Sequence, residues 1–304
     1  MIISVGEILA DMIGSGTREN PAFMFKAGGA PFNVACAAKK FGAKVAFYGS
    51  VGNDVIGDRL CEFARSRDFD RLSIERRADA NTTLAFVSVD ECGEREFGFY
   101  RKHTADALLP KIPDDVIKSA NIVHIGSLML SEESGAEYAT ELMSRAHALG
   151  KKISFDTNFR TDIFSDTEAA VQTYKRIFAA ADIIKFSQDE LDVFGKQYVD
   201  KELKDKYVFI SMSARGSIWQ AKGECGHVSS TPVKAVDTTG AGDAFFAGVL
   251  TVLDEAQSYE YSADTLNFAL SFGNACGALN TLGYGAIDCL PDRAAVVKFM
   301  SLKA

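Results

Sequence analysis

The chain is written in a regular rhythm. Short apolar runs rich in β-branched and aromatic residues alternate with stretches of helical period. The runs "IISVGEIL" (2–9), "KVAFYGSV" (44–51), "NIVHIG" (121–126), "KISFD" (152–156), "DIIKFS" (182–187) and "YVFISMS" (207–213) read as buried strands. Between or beside them, "PFNVACAAKKFG", "DVIGDRLCEFARSR", "ESGAEYATELMSRAHALG" and "TEAAVQTYKRIFAAA" read as helices, several with a polar start and a glycine at the close. Strands separated by helices pair in parallel, so the rhythm predicts an α/β fold: a mostly parallel sheet with helices on both faces. At 304 residues and 47% hydrophobic content the chain can fill both cores of such a sheet. No repeat, low-complexity tract or linker divides it, and a single domain over 1–304 is expected.

One stretch breaks the rhythm. Residues 82–101, "TTLAFVSVDECGEREFGFYR", alternate in polarity on either side of the turn residues Asp90 to Gly93 and read as a β-hairpin. A hairpin does not fit easily into a parallel core, so we place it in a small β lid built from segments within about 10–30 and 70–103. A lid sheet has edges to hide. Covering a ligand, pairing with a second copy of the chain, or both, would hide them. Beyond residue 236 the pattern becomes helical, over 241–256, 264–282 and 292–302.

Charge and cysteine usage exclude several classes of function. A net charge of -8 argues against nucleic-acid and anionic-membrane partners, so any phosphate site must be local. The six cysteines form no C-x-x-C pair and the four histidines show no metal-ligand spacing, which predicts reduced thiols and no structural zinc. The N-terminal "MIISVGEILADMIG" lacks a basic leader, and Glu7 and Asp11 interrupt its apolar run, so a cytoplasmic location is expected.

The chemistry concentrates in "VDTTGAGDAFFAG" (236–248), where two glycines and an aspartate open an apolar helix. Each glycine in a helix interior costs about 1 kcal/mol against alanine. If the strand-like "TPVKAV" (231–236) feeds a turn at Asp237 to Gly240, the amides of Gly240, Ala241, Gly242 and Asp243 point out of the helix start unpaired. That arrangement is an anion site, and the glycines let a phosphoryl group approach the backbone closely. Glycines that merely pack the helix on the sheet would leave Asp243 unexplained. The helix dipole is expected to keep Asp243 ionised and so able to take a proton. An anion cradle beside one carboxylate suits phosphoryl transfer, which needs positioning and charge stabilisation more than a strong base. The chain has no G-x-x-x-x-G-K-[ST] loop, no G-x-G-x-x-G after a strand and no protein-kinase H-R-D or D-F-G.

"DTTGAGDAFFAG" (237–248) and "AGGAPFNVA" (27–35) resemble the two signatures of the ribokinase-like (PfkB) carbohydrate kinases. Between and after them "GSVGNDVIG" (49–57), "FYRKHTADALL" (99–109), "FDTNFRTDIF" (155–164), "KFSQDEL" (185–191) and "GYGAIDCLP" (283–291) follow in the family's order, with most likeness to fructokinases. The resemblance implies a three-layer ribokinase-like sandwich with a β lid, and an enzyme that uses ATP and Mg²⁺ to phosphorylate a sugar hydroxyl. Asp243 would be the base and Gly240, Ala241 and Gly242 the anion hole. Asp11, Asn33 and the Gly28–Gly29 backbone would hold the sugar, with Arg101 and Arg160 around sugar or phosphate. Asn33 and Asp11 also read as helix-start and turn residues, the arginines as surface charges, and Phe97, Phe99 and Tyr100 as lid packing or as lining of the sugar pocket. Phe32 hints at a trimmed sugar pocket.

On the nucleotide side the resemblance gives Glu190 the Mg²⁺, through water, beside Ser187, which stands where an asparagine is common. "SMSARGS" (211–217) is similar to the family's ATP loop, bringing in Ser211, Gly216 and Ser213, the last where glycine is frequent. Asn274 faces the adenosine or packs its helix. A K⁺ site at Asp237, Thr239 and Gly285 is a feature the family often has. The implied reaction is fructose to fructose 6-phosphate, with 2-keto-3-deoxygluconate as the rival acceptor and a non-catalytic sugar or nucleotide sensor as the reading from another class.

Overall fold

Alternation along the short strands puts successive side chains on opposite faces of a sheet, and both faces are apolar here. In the computed structural model, which describes residues 1–16, 20–89, 95–164 and 166–302, Ile2, Ile122, Ile183 and Phe209 enter one core while Ile3, Val123, Ile184 and Val208 enter another.

The first third of the chain runs β1 (Ile2–Val5), β2 (Leu9–Gly16), β3 (Pro21–Gly28), α1 (Ala30–Lys40), β4 (Val45–Gly52), α2 (Val55–Arg65), β5 (Arg71–Arg77), β6 (Leu84–Val89) and β7 (Arg95–Tyr100). The middle runs α3 (Asp114–Ser119), β8 (Ile122–Ile125), α4 (Glu133–Ala148), β9 (Lys152–Asp156), α5 (Thr167–Ala180), β10 (Ile183–Ser187), α6 (Gln188–Phe194), α7 (Lys196–Glu202) and β11 (Tyr207–Ser211). It closes with β12 (Ser217–Ala221), β13 (Glu224–Val228), α8 (Ala241–Ala256), α9 (Ala263–Asn280) and α10 (Arg293–Ser301).

Among the described residues the main sheet has the order β13-β12-β11-β10-β9-β8-β1-β4-β5. From β11 to β5 its pairs are parallel, and β12 and β13 add an antiparallel edge. Helices α1, α2, α8, α9 and α10 cover one face and α3 to α7 the other. This is the three-layer α/β sandwich expected. The lid is a separate sheet of order β3-β2-β6-β7, and β6 and β7 pair antiparallel as the hairpin reading required. The turn expected at Asp90 to Gly93 lies outside the described residues.

Three local expectations are corrected. "IISVGEIL" is not one strand: Gly6, at φ 148°, ends β1, and Leu9 already belongs to the lid. A Cβ at Gly6 would lie 2.7 Å from Pro31 Cγ, so only glycine lets the chain leave the main sheet there. "TPVKAV" pairs with no strand, since Pro232 offers no amide and the segment instead lines a cleft. Residues 71–77, inside the span from which the lid was drawn, form the parallel edge strand beside β4. Of the described helices, none is long and apolar enough to cross a membrane.

Candidate active site

Lid and main sheet meet at the C-terminal ends of the parallel strands, the place where open α/β sheets bind ligands. A cleft of about 460 Å³ opens there. Residue by residue, it draws on both layers.

Gly240 starts α8 in the left-handed region, at φ 73°, and its missing Cβ would fall 2.5 Å from Ala286 Cβ. The turn is thus closed to any side chain, as a glycine at this position implies. Ala244 N–H donates to Gly240 O at 2.8 Å, opening the helical ladder. The amides of Gly242 and Asp243 sit in the first turn, where no intrahelical acceptor exists. Ala241 is a correction: its amide donates to Thr238 O at 3.2 Å, so it is already occupied in closing the turn.

Asp243 sits in the cleft, and Asn33 Nδ2 donates to its Oδ2 at 2.8 Å. Residues 210 positions apart, on α1 and α8, therefore converge on one carboxylate. Burial pushes the Asp243 carboxyl above its ordinary value, against the opposing pull of Asn33, Lys185 and Arg160. Desolvation is thus the largest influence on this carboxyl, one the helix start alone does not reveal. The result is a stronger proton acceptor than a surface aspartate.

The other wall of the cleft is built from Asp11 and the segment 27–35. A Cβ at Gly28 would reach within 2.1 Å of Asp11 Oδ2, and one at Gly29, at φ 109°, within 2.4 Å of Glu7 O. These glycines leave the Asp11 carboxyl and the Glu7 backbone in place. Asp11, Gly29, Asn33, Phe99 and Arg160 all line the cleft. Arg101 does not. Its Nε donates to Asp106 Oδ2 at 2.5 Å, its Nη1 donates to Ser131, and it lines a neighbouring cavity instead. The buried Asp106 carboxyl, also held by Thr83 and Thr104, draws the guanidinium away. Phe32 is wholly buried against Phe47 and Phe69, so it does not trim the cleft. Tyr100 is two-thirds exposed on the lid.

A second cleft, of about 500 Å³, shares Lys185, Ser187, Thr238 and Gly242 with the first and is lined also by Ser211, Ser213, Gly216, Pro232, Phe245 and Asn274. The two clefts meet at Gly242. Gly216 is required: at φ 97° its Cβ would fall 2.1 Å from Val228 O. Ser213 keeps the conformation that favours glycine, at φ 53°, and bears its strain. Asn274 gives its amide to packing, accepting from Ser217 Oγ at 2.9 Å and donating to Val228 O at 3.0 Å. Ser187 caps α6 and forms a capping box with Glu190, so a serine does there what an asparagine would.

Glu190 Oε1 accepts from Phe159 N–H at 2.8 Å and Oε2 from Ser187 N–H at 2.6 Å. With each oxygen holding one amide and lone pairs left toward the cleft, the carboxylate fits a Mg²⁺ held mainly by phosphates and water, with Asp189 beside it. Asp237 gathers the remaining turn. Its Oδ1 accepts from the Thr239 amide and hydroxyl at 2.7 Å, and its Oδ2 from Gly285 N–H at 2.9 Å.

Two residues escaped the sequence reading. Lys185, on β10, is buried with its Nζ 2.9 Å from Asp156 Oδ1 and only 3.4 Å from where a Cβ on Gly242 would stand. Burial lowers the Lys185 ammonium, yet the carboxylates of Asp156, Glu190 and Asp243 outweigh it and hold the charge in place. The other is Glu7, which lines the first cleft. Both stood inside apolar runs, where a polar residue reads as an interruption.

Against known proteins, residues 1–293 match the family model described as "pfkB family carbohydrate kinase". The chain is 37% identical to the Arabidopsis thaliana protein named probable fructokinase-5, over 100% of this chain and 98% of that one. It is 35% identical to fructokinase-2 of Solanum lycopersicum, over 96% and 93%. Its fold is similar to the ATP-bound fructokinase of Xylella fastidiosa, with TM-score 0.91, 31% identity and 99% and 98% coverage. A double mutant of Vibrio cholerae O395 fructokinase, solved with fructose, ADP and potassium ion, superposes with TM-score 0.87, 29% identity and 98% and 97% coverage.

Proposed function

The chain belongs to the pfkB family of carbohydrate kinases, and on that footing we propose that it transfers the γ-phosphoryl group of ATP to the primary hydroxyl of fructose, giving fructose 6-phosphate. The observation that carries this reading is the Asn33–Asp243 hydrogen bond of 2.8 Å. It ties the wall of the acceptor cleft to the helix start over which the nucleotide cleft opens.

The acceptor hydroxyl oxygen attacks the terminal phosphorus, the bond from phosphorus to the ADP oxygen breaks, and the hydroxyl proton passes to Asp243. Proton transfer comes late, because even a raised carboxyl is a weaker base than an alkoxide. The Gly242 and Asp243 amides and the Lys185 ammonium face the transferring group. Together they stabilise charge that grows on its oxygens. Bound Mg²⁺, held at Glu190 with Asp189 beside it, would neutralise the phosphates. Asp237 joins the Thr239 turn to the Gly285 loop, which suits a K⁺ ion, and the Vibrio cholerae relative was solved with potassium ion bound.

The acceptor cleft favours a neutral sugar over 2-keto-3-deoxygluconate. Asp11, Asp189, Glu190 and Asp243 line it against Arg160 and the already paired Lys185. Arg101, which an anionic acceptor would want, faces elsewhere. The lid's outer face carries Phe23, Phe86 and Tyr100 in edge contact at 5.0 and 5.1 Å, with Phe23 and Tyr100 exposed. Such a face suits pairing with a second copy.

ADP release measured with fructose, ribose, tagatose, 2-keto-3-deoxygluconate and nucleosides tests the reading. Fructose is expected to give the highest kcat/KM. Turnover confined to 2-keto-3-deoxygluconate would overturn the choice of acceptor, and turnover with none would leave a sensor.

A further inference from the structure

Helix α1 has an unusual start. Its N-cap is Gly29, which has no side chain to satisfy the first amides, and the first turn holds no acidic residue. The missing acceptor comes from another part of the chain. Glu7, in the connection from β1 to β2, is 2% exposed and its Oε1 accepts from Ala30 N–H at 3.1 Å. Room for this carboxyl is left by glycines: a Cβ on Gly126 would stand 2.8 Å from Glu7 Oε2, and one on Gly29 would stand 3.2 Å from Glu7 Cγ. Glu7 Oε2 is buried and has no hydrogen-bond partner. A buried carboxyl with one idle oxygen is costly.

One helical turn beyond Ala30 stands Asn33, whose amide donates to Asp243. We propose that Glu7 is a positioning residue for phosphoryl transfer, fixing the start of α1 through Ala30 so that Asn33 holds the Asp243 carboxylate. This rests on the reading of Asp243 as the base.

The charged groups around both ends are defined. Asp243 faces Lys185 from β10 and Arg160 and Asp156 from the end of β9. Glu7 faces Asp106 and Arg101 at the foot of the lid. Burial, aided by the Asp106 charge, raises the Glu7 carboxyl to about 8. At neutral pH its proton sits on one oxygen while the other accepts from Ala30, an arrangement that glutamine reproduces.

The experiment is the pH profile of kcat/KM for the acceptor in wild type, Glu7→Met and Glu7→Gln. Removing the acceptor of the Ala30 amide loosens Asn33, weakens the bond that favours ionised Asp243 and moves the acid limb upward. The expected shift in Glu7→Met is about one pH unit, with roughly a tenfold loss below the limb. Glu7→Gln keeps the wild-type limb. An unmoved limb in Glu7→Met overturns the proposal. A limb moved equally in Glu7→Gln also overturns it, because the charge and not the hydrogen bond would then be at work. Should Glu7→Met fail to fold, Ala30→Pro deletes the same N–H at a helix position that tolerates proline, and the same shift is expected. Absence of turnover in the wild type with every acceptor would refute the kinase reading itself, a separate outcome.

Discussion

Ser213 shows how a single residue records both the fold and the site. Its φ of 53° lies in the left-handed region, where a side chain costs roughly 1 kcal/mol and glycine almost nothing. It is exposed, so no packing compensates. Ser213→Gly is therefore expected to leave unfolding free energy unchanged or raise it by up to about 1 kcal/mol, the relief of strain being partly offset by the freedom glycine adds to the unfolded chain. Urea denaturation checks this, and a loss beyond 1 kcal/mol would contradict the strain. The grouping of candidate residues was legible where motifs concentrated them: Asp243, Asn33 and Glu190 all line the first cleft. It was not legible where the partner is remote. Lys185 finds Asp156 29 positions away. Nor could the pattern say that burial would raise the Asp243 carboxyl.

At the scale of elements, α8 and α1 are the two that meet at the chemistry. Gly240 decides where α8 begins, because its positive φ and the 2.5 Å gap to Ala286 Cβ leave no space for a methyl group. Gly240→Ala is expected to destabilise the protein by roughly 1 to 3 kcal/mol and to displace the first-turn amides. It should lower kcat more than it raises KM for the sugar, whose proposed contacts lie on the other wall. Steady-state kinetics beside a thermal melt separate these effects. A KM increase with unchanged kcat would contradict the role of the turn. Strongly periodic elements such as α4, α5 and β4 were readable directly from their apolar spacing. The pair β12 and β13 was not, since an edge hairpin of half-exposed residues lacks the apolar run of a buried strand. β3 was hidden because its last residues belong to the glycine motif.

The whole molecule is a sandwich with a lid hung from one end of its sheet. Lys26 on β3 pairs with Asp288 at 2.5 Å, joining lid to body at a smaller cavity that Asp11 and Thr239 also line. If the lid's aromatic face pairs with a second copy, Phe86→Asp should convert a dimer to a monomer in sedimentation velocity, because a charge would enter the centre of the contact. A wild-type protein that is monomeric at micromolar concentration would contradict that pairing. Sequence could place the lid outside the main sheet by its lack of crossover helices. It could not say which way the lid's faces point, since both carry aromatic residues.

The convergence of α1 and α8 on one carboxylate is tested most directly by the rate of ADP release with saturating fructose and MgATP in Asp243→Asn. A fall of roughly 100- to 10,000-fold is expected, with fructose and ATP affinities within a few-fold of wild type. A rate comparable to wild type would show that the proton leaves by another route.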